Sequence, residues 1–305
     1  MPLPPRRLIA SAIASLTAAV TACALDIQFG YTYDTGGFFV GHADRQSLLN
    51  TAAAVFETRL TDNLTAITPS GSNHWSIDFD DPTTGAAVSL DDVTIAAGVL
   101  RVFVGAQQLG SGTLGYGGPG GYSASGNSAW FDTIKGRGQA GALPATPTDF
   151  APWGGSITFD IDSAWYFGTG SLSGKNDFLS VATHELGHLL GIGTAKSWDT
   201  KISGSTFTGS QSTAAKGGIQ AGLSGDLGHW ADGTMSTVFG TATAQEAAMD
   251  PSLTVGTQKL FTTLDFAGLR DVGWTMVPEP ATTALLLPWA GLFLALRPRR
   301  FSSAG

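Results

Sequence analysis

The pentapeptide His184-Glu185-Leu186-Gly187-His188 restricts this 305-residue chain more than any other stretch. Two histidines four apart face the same way on a helix, where positions i and i+4 lie about 5–6 Å apart. From there both imidazoles can reach one metal ion at about 2.0–2.1 Å. Glu185, one residue after the first, points beside the metal, where a carboxylate can contact a bound water. The flanks agree with a helix from about Asp177 to Leu190. Leu179, Ala182, Leu186, Leu189 and Leu190 give it apolar faces, and Gly191 follows, where a helix can stop and turn sharply.

Such a metal needs a third protein ligand, and three histidines remain: His42, His74 and His229. His42 and His74 precede the helix beside elements that read as scaffold, and are expected to be structural or surface residues. The stretch from His184 resembles the metzincin metallopeptidases, H-E-x-x-H-x-x-G-x-x-H, with Gly191 where that family has its glycine. The chain departs from the pattern at the next ligand position, which holds Thr194, not an ordinary zinc ligand. His229, in Asp226-Leu227-Gly228-His229-Trp230, follows a long, polar, glycine-rich insertion. Leishmanolysin-like metzincins are similar in placing their third histidine after an insertion. Asp199 is a rival, since a carboxylate oxygen also serves zinc. Ala248-Met249-Asp250-Pro251 resembles the methionine turn that underlies the metal in this clan, and residues 264–274 resemble its closing helix.

The resemblance spans about 176–274. It implies Zn²⁺ held by His184, His188 and His229, with Met249 packed beneath and Glu185 as general base. The implied activity is endopeptidase action on a protein or peptide substrate. The competing expectation is a non-catalytic, zinc-stabilised envelope or matrix protein, with a closed site completed by Asp199.

Both ends read as addresses. Residues 1–24 have a basic start (Arg6, Arg7), an apolar run from Leu8 to Val20, and a small-x-small site, Ala22-Cys23-Ala24. That is the pattern of a secretory signal cut by signal peptidase. A second reading takes Val20-Thr21-Ala22-Cys23 as a lipoprotein box with Cys23 lipidated. Cys23 is the only cysteine, so the body has no disulfide framework and no thiol nucleophile. Residues 277–305 join Val277-Pro278-Glu279-Pro280 to an apolar run, Ala281 to Leu296, and then to Arg297, Arg299 and Arg300. This tripartite tail resembles the PEP-CTERM sorting signal of bacterial exported proteins. It implies transient anchoring in the inner membrane, processing by an exosortase-type enzyme, and a body that works outside the cytoplasm.

Residues 25–276 are then the fold. Ile27, Phe29, Tyr31 and Tyr33 alternate as a half-buried strand, as do Trp75 to Phe79 and Ile157 to Ile161, and Val99 to Val104 reads as a short apolar strand. Residues 43–61 carry a helical apolar face. The glycine-rich stretch 105–155 reads as loop with an edge strand at most, and 194–245 as irregular. A last helix begins near Thr263, with Asp265 as capping partner of Thr262, and ends at Gly273. Strands with interleaved helices give an α+β domain. The resemblance adds a twisted sheet, an active-site helix and a smaller C-terminal subdomain. Asp160 and Asp162 share one side of a strand, as a calcium pair or a solvated face. Without the basic ends the body carries 11 basic against 24 acidic residues, which excludes a nucleic-acid partner.

Overall fold

The computed structural model describes residues 25–110 and 112–277. The leader, Cys23, and the tail from Pro278 onward lie outside these residues. Among the described residues no helix is long and apolar enough to cross a membrane.

The architecture is α+β. Strand β1 (Asp26–Gly30) leads through a turn to helix α1 (Ala43–Glu57), then β2 (His74–Asp80), β3 (Ala87–Asp91), β4 (Val99–Gln107), β5 (Gly115–Pro119) and β6 (Gly121–Ser125). Helix α2 (Ser128–Gly136) and strand β7 (Gly154–Asp160) precede helix α3 (Phe178–Leu189), and helices α4 (Lys196–Asp199), α5 (Ser210–Ala215) and α6 (Thr263–Asp271) follow. The main sheet runs β1-β4-β7-β5, with β1, β4 and β7 parallel and β5 antiparallel at the edge. A second sheet, β3-β2-β6, is antiparallel throughout.

Strand β4 explains how the layers meet. It is buried on both faces, as its largely apolar run, broken only by the half-buried Arg101, requires. Leu100, Val102 and Val104 join α1 residues Leu49, Ala52 and Phe56 and α3 residues Phe178 and Leu186 in the larger core. Val99 and Phe103 turn to the smaller core of Trp75, Ile77, Phe79, Trp130 and Trp153 under the second sheet. Helices α1 and α3 pack on each other, and α3 also lies against edge strand β5.

Four expectations need correction, the first being that 194–245 is irregular, since it holds α4, α5 and several two- or three-residue strands. The alternation from Ile27 to Tyr33 stays strand only to Gly30, because Asp34 closes a turn with its backbone N–H on the Tyr31 carbonyl at 3.1 Å. The stretch 105–155 is not mainly loop, since it holds β5, β6 and α2. Helix α2 starts from Asn127, whose side chain accepts from the Trp130 N–H at 2.9 Å. Strand β5 is Gly-Tyr-Gly-Gly-Pro, a turn composition by propensity, yet tertiary contact demands it. A Cβ at Gly115 would stand 2.7 Å from Glu185 Oε1, and one at Gly117 would stand 3.0 Å from Glu185 Cβ. Asp160 and Asp162 do not form a calcium pair. The buried Asp160 accepts from the Leu109 N–H at 3.1 Å and from Ser163 Oγ at 2.6 Å, and Asp162, past the end of β7, accepts from Gln108 Nε2 at 2.6 Å. Neither belongs to a converging group of metal-ligand side chains among the described residues.

Candidate metal centre

Helix α3 carries the pentapeptide. Asp177 caps its start, accepting from the Ser180 N–H at 2.9 Å and from Ser180 Oγ at 2.6 Å. Its end is fixed at Gly191, with φ +111, where the chain reverses. Thr194 Oγ1 donates to the His188 carbonyl at 2.6 Å, so this side chain closes the helix end. Gly187 sits above Met249. A Cβ there would collide with the Met249 sulfur, so glycine is what lets the buried methionine lie against the helix.

His184, His188 and His229 converge, with ligand atoms all within 4.8 Å of one another. The Nε2 atoms of His184 and His188 are 3.1 Å apart, and those of His188 and His229 are 3.0 Å apart. Each ring spends its other nitrogen outward. His184 Nδ1 meets the Ala248 carbonyl at 2.7 Å, His188 Nδ1 the Ile192 carbonyl at 2.8 Å, and His229 Nδ1 Asp226 Oδ2 at 2.8 Å. Oxygen acceptors at Nδ1 require Nδ1–H, which leaves every Nε2 as a bare lone pair. Bare lone pairs cannot hydrogen-bond to one another, so their convergence fits a shared cation. Nitrogens at about 2.0–2.1 Å around a tetrahedral ion stand roughly 3.3 Å apart, close to the spacing here. Burial, then the neighbouring His188, holds His184 well below its usual range, and burial and His229 bring His188 down to about 4. Both are therefore neutral at neutral pH, as ligands must be.

Glu185 is 5% exposed and lies between α3 and β5. Burial pushes its carboxyl up to about 8, while the Gly117 backbone N–H pulls the other way. A cation beside it would draw it down again. Glu185, the three histidines, β5 and the segment 248–253 line one cavity of about 850 Å³.

Residues 125–202 match the matrixin family model. That match runs from the end of β6 through α2, β7, α3 and α4. It includes His184, Glu185 and His188, and stops short of His229 and Met249. It supports a zinc-dependent peptidase in general terms, a hydrolase acting on protein or peptide substrates. No curated protein and no solved structure matches the chain.

The remaining sequence candidates stand apart from the three converging histidines. Asp199 is exposed, 3.5 Å from Lys196, and is not part of the converging group. The exposed His74 pairs with Asp92 at 2.8 Å, and His42 stands exposed before α1.

Two aspartates that the sequence does not flag as site residues support the centre. Asp265, read there only as a helix cap, is fully buried and accepts five hydrogen bonds. Oδ1 takes the Trp230 indole at 2.9 Å and the Met249 N–H at 3.1 Å. Oδ2 takes the Ala248 N–H at 2.8 Å, the Thr262 N–H at 2.8 Å and Thr262 Oγ1 at 2.6 Å. It thus grips the turn whose Ala248 carbonyl orients His184, and the residue after His229. Asp226 is the other, and the Asp-x-x-His spacing to His229 was its only signal. Lys259, buried at the cavity wall between Asp250 at 3.0 Å and Glu246 at 2.9 Å, went unsignalled.

Proposed function

We propose that this chain is an exported zinc-dependent endopeptidase, with His184, His188 and His229 as metal ligands and Glu185 as general base. The observation that carries the reading is three outward-anchored imidazoles presenting bare Nε2 atoms to one point, with a buried carboxylate beside them. Zinc bound by these three nitrogens would supply a Lewis acid for a water and a scissile carbonyl in the cavity. Glu185, drawn back to its carboxylate form by a cation beside it, would accept a proton from the attacking water and pass it to the leaving amine. The outer hydrogen bonds to Ala248, Ile192 and Asp226 keep each Nε2 deprotonated and aimed. Strand β5, paired on one side only, offers its free edge to an extended substrate beside Glu185.

A structural zinc protein would close the site with a fourth protein ligand. The exposed, outlying Asp199 speaks against this, as does the roomy cavity around the histidines. Residues 1–24 serve as the export signal and residues 277–305 as a PEP-CTERM-type sorting tail, which sequencing the N-terminus of the exported protein and fractionating the envelope would test.

The test of the activity is zinc content and casein cleavage, with and without a chelator, beside Glu185→Gln. The variant should keep its zinc and lose cleavage. Undiminished cleavage in Glu185→Gln would refute the mechanism.

A further inference from the structure

The three metal-facing histidines are not anchored alike. His184 and His188 rest on neutral backbone carbonyls, from Ala248 and Ile192. They also share one helix, whose packing sets their directions. His229 has no helix. It comes from a turn at the end of the long insertion, into the ligand place that Thr194 leaves open.

That turn is built around one side chain. Asp226 Oδ1 accepts from the Gly228 N–H at 2.9 Å and from Ser224 Oγ. This leaves Oδ2 aimed at His229 Nδ1, at 2.8 Å. The backbone bends at Leu227 with φ +61, a left-handed conformation that a branched side chain adopts only at a cost. The bend is held from outside: Trp198 Nε1 donates to the Leu227 carbonyl at 3.0 Å, and Gly228 lies so close to Gly193 that a Cβ on Gly193 would run into the Gly228 carbonyl. The strained bend puts Asp226 and His229 on the same side, carboxylate against ring.

We propose that Asp226 is a positioning residue for the metal, fixing the ring and tautomer of the insertion-borne ligand His229 and strengthening its Nε2 as a donor. The proposal rests on the zinc reading above. Asp226 is not itself a ligand in this arrangement, because its free oxygen is spent on Nδ1, the side of the ring away from the converging Nε2 atoms. A carboxylate does at His229 what helix packing does for the other two. Partners of this kind are worth about 10–100-fold in metal affinity.

The test compares full-length wild type, Asp226→Ala and Asp226→Asn. The readouts are zinc affinity by competition with a chromophoric chelator, thermal unfolding of the zinc-free proteins, and visible spectra with cobalt. Asp226→Ala should weaken zinc about 10–100-fold while leaving the saturated cobalt spectrum unchanged; its zinc-free melting temperature falls with the lost Gly228 and Ser224 hydrogen bonds. Asp226→Asn keeps an oxygen for the Gly228 and Ser224 donors, so the zinc-free melting temperature should return toward wild type, but it sets an NH2 against His229 Nδ1–H, so the loss of zinc affinity should remain. Zinc affinity in Asp226→Ala within twofold of wild type overturns the proposal. So does an Asp226→Asn variant that regains zinc affinity together with the zinc-free melting temperature, which would make the role one of holding the turn and not of fixing the ring. A lower cobalt coordination at saturation would make Asp226 a ligand and overturn it too. Wild type that binds no zinc fails the metal reading itself, before any variant is compared.

Discussion

Asp265→Asn is the sharpest probe of how the site is held up. The carboxylate accepts five hydrogen bonds, two on Oδ1 and three on Oδ2. An amide keeps the shape but carries two N–H donors on one arm. Whichever way it turns, its NH2 faces at least two donors that had a carboxylate oxygen. Hydrogen bonds to a charged acceptor are worth about 1.5–3 kcal/mol each, and buried donors left without partners cost about 1–3 kcal/mol each. The loss is therefore roughly 3–6 kcal/mol. Burial pushes the Asp265 carboxyl up, against the pull of the Thr262, Ala248 and Met249 donors, so the amide regains some desolvation energy. The net expectation is about 3 kcal/mol, or roughly 6–12 °C in melting temperature for a body of this size. Thermal unfolding with excess chelator reads it directly. A second signature is weaker zinc binding, because the Ala248 carbonyl that orients His184 hangs on the same carboxylate. A melting temperature within about 2 °C of wild type would show that Asp265 is a cap and not a hub, and the reasoning would fail.

Two further outcomes follow from the same geometry. Gly115→Ala puts a methyl 2.7 Å from Glu185 Oε1, so the carboxylate must move; cleavage should fall about tenfold or more, a barrier of about 1.4 kcal/mol, while zinc content stays at the wild-type value. In zinc-free protein, His188 is held down to about 4, against an unfolded value near 6.5. The unfolded chain then binds the proton first, so stability is highest above pH 6.5 and falls by roughly 2–4 kcal/mol as pH drops toward 4. Melting curves across that range should show the slope, to which the depressed His184 adds, and His188→Gln should reduce it; an unchanged slope in the variant would assign the effect elsewhere.

Helix α3 is legible in the sequence because one short stretch states its period, its start near Asp177 and its stop at Gly191 at once. Strand β7 and the first part of β1 are legible from alternation, and α6 from the Thr262–Asp265 capping pair. Strands β5 and β6 are not, because glycine encodes permission and no preference. Gly115 and Gly117 are strand residues only because Glu185 and Ile157 occupy the space where side chains would be. His229 stands out by scarcity, one of few histidines. Asp226 and Asp265 are single aspartates in an acidic chain, and what distinguishes them is which donors the fold brings to their oxygens, a property no local pattern records.

Strand β5 has one more consequence. Where it meets α3, at Gly115 and Gly117, it bears no side chains, and its outward positions are Tyr116 and Gly118 before Pro119 ends the run. A wall of bare main chain cannot ask much about a target's residues, but it can ask whether the target is a strand. Under the proposed activity, a helix or a closed hairpin would not fit it, and a folded protein would have to open locally first. Susceptibility would then track the free energy of that opening, about tenfold for every 1.4 kcal/mol, more closely than it tracks any cleavage motif.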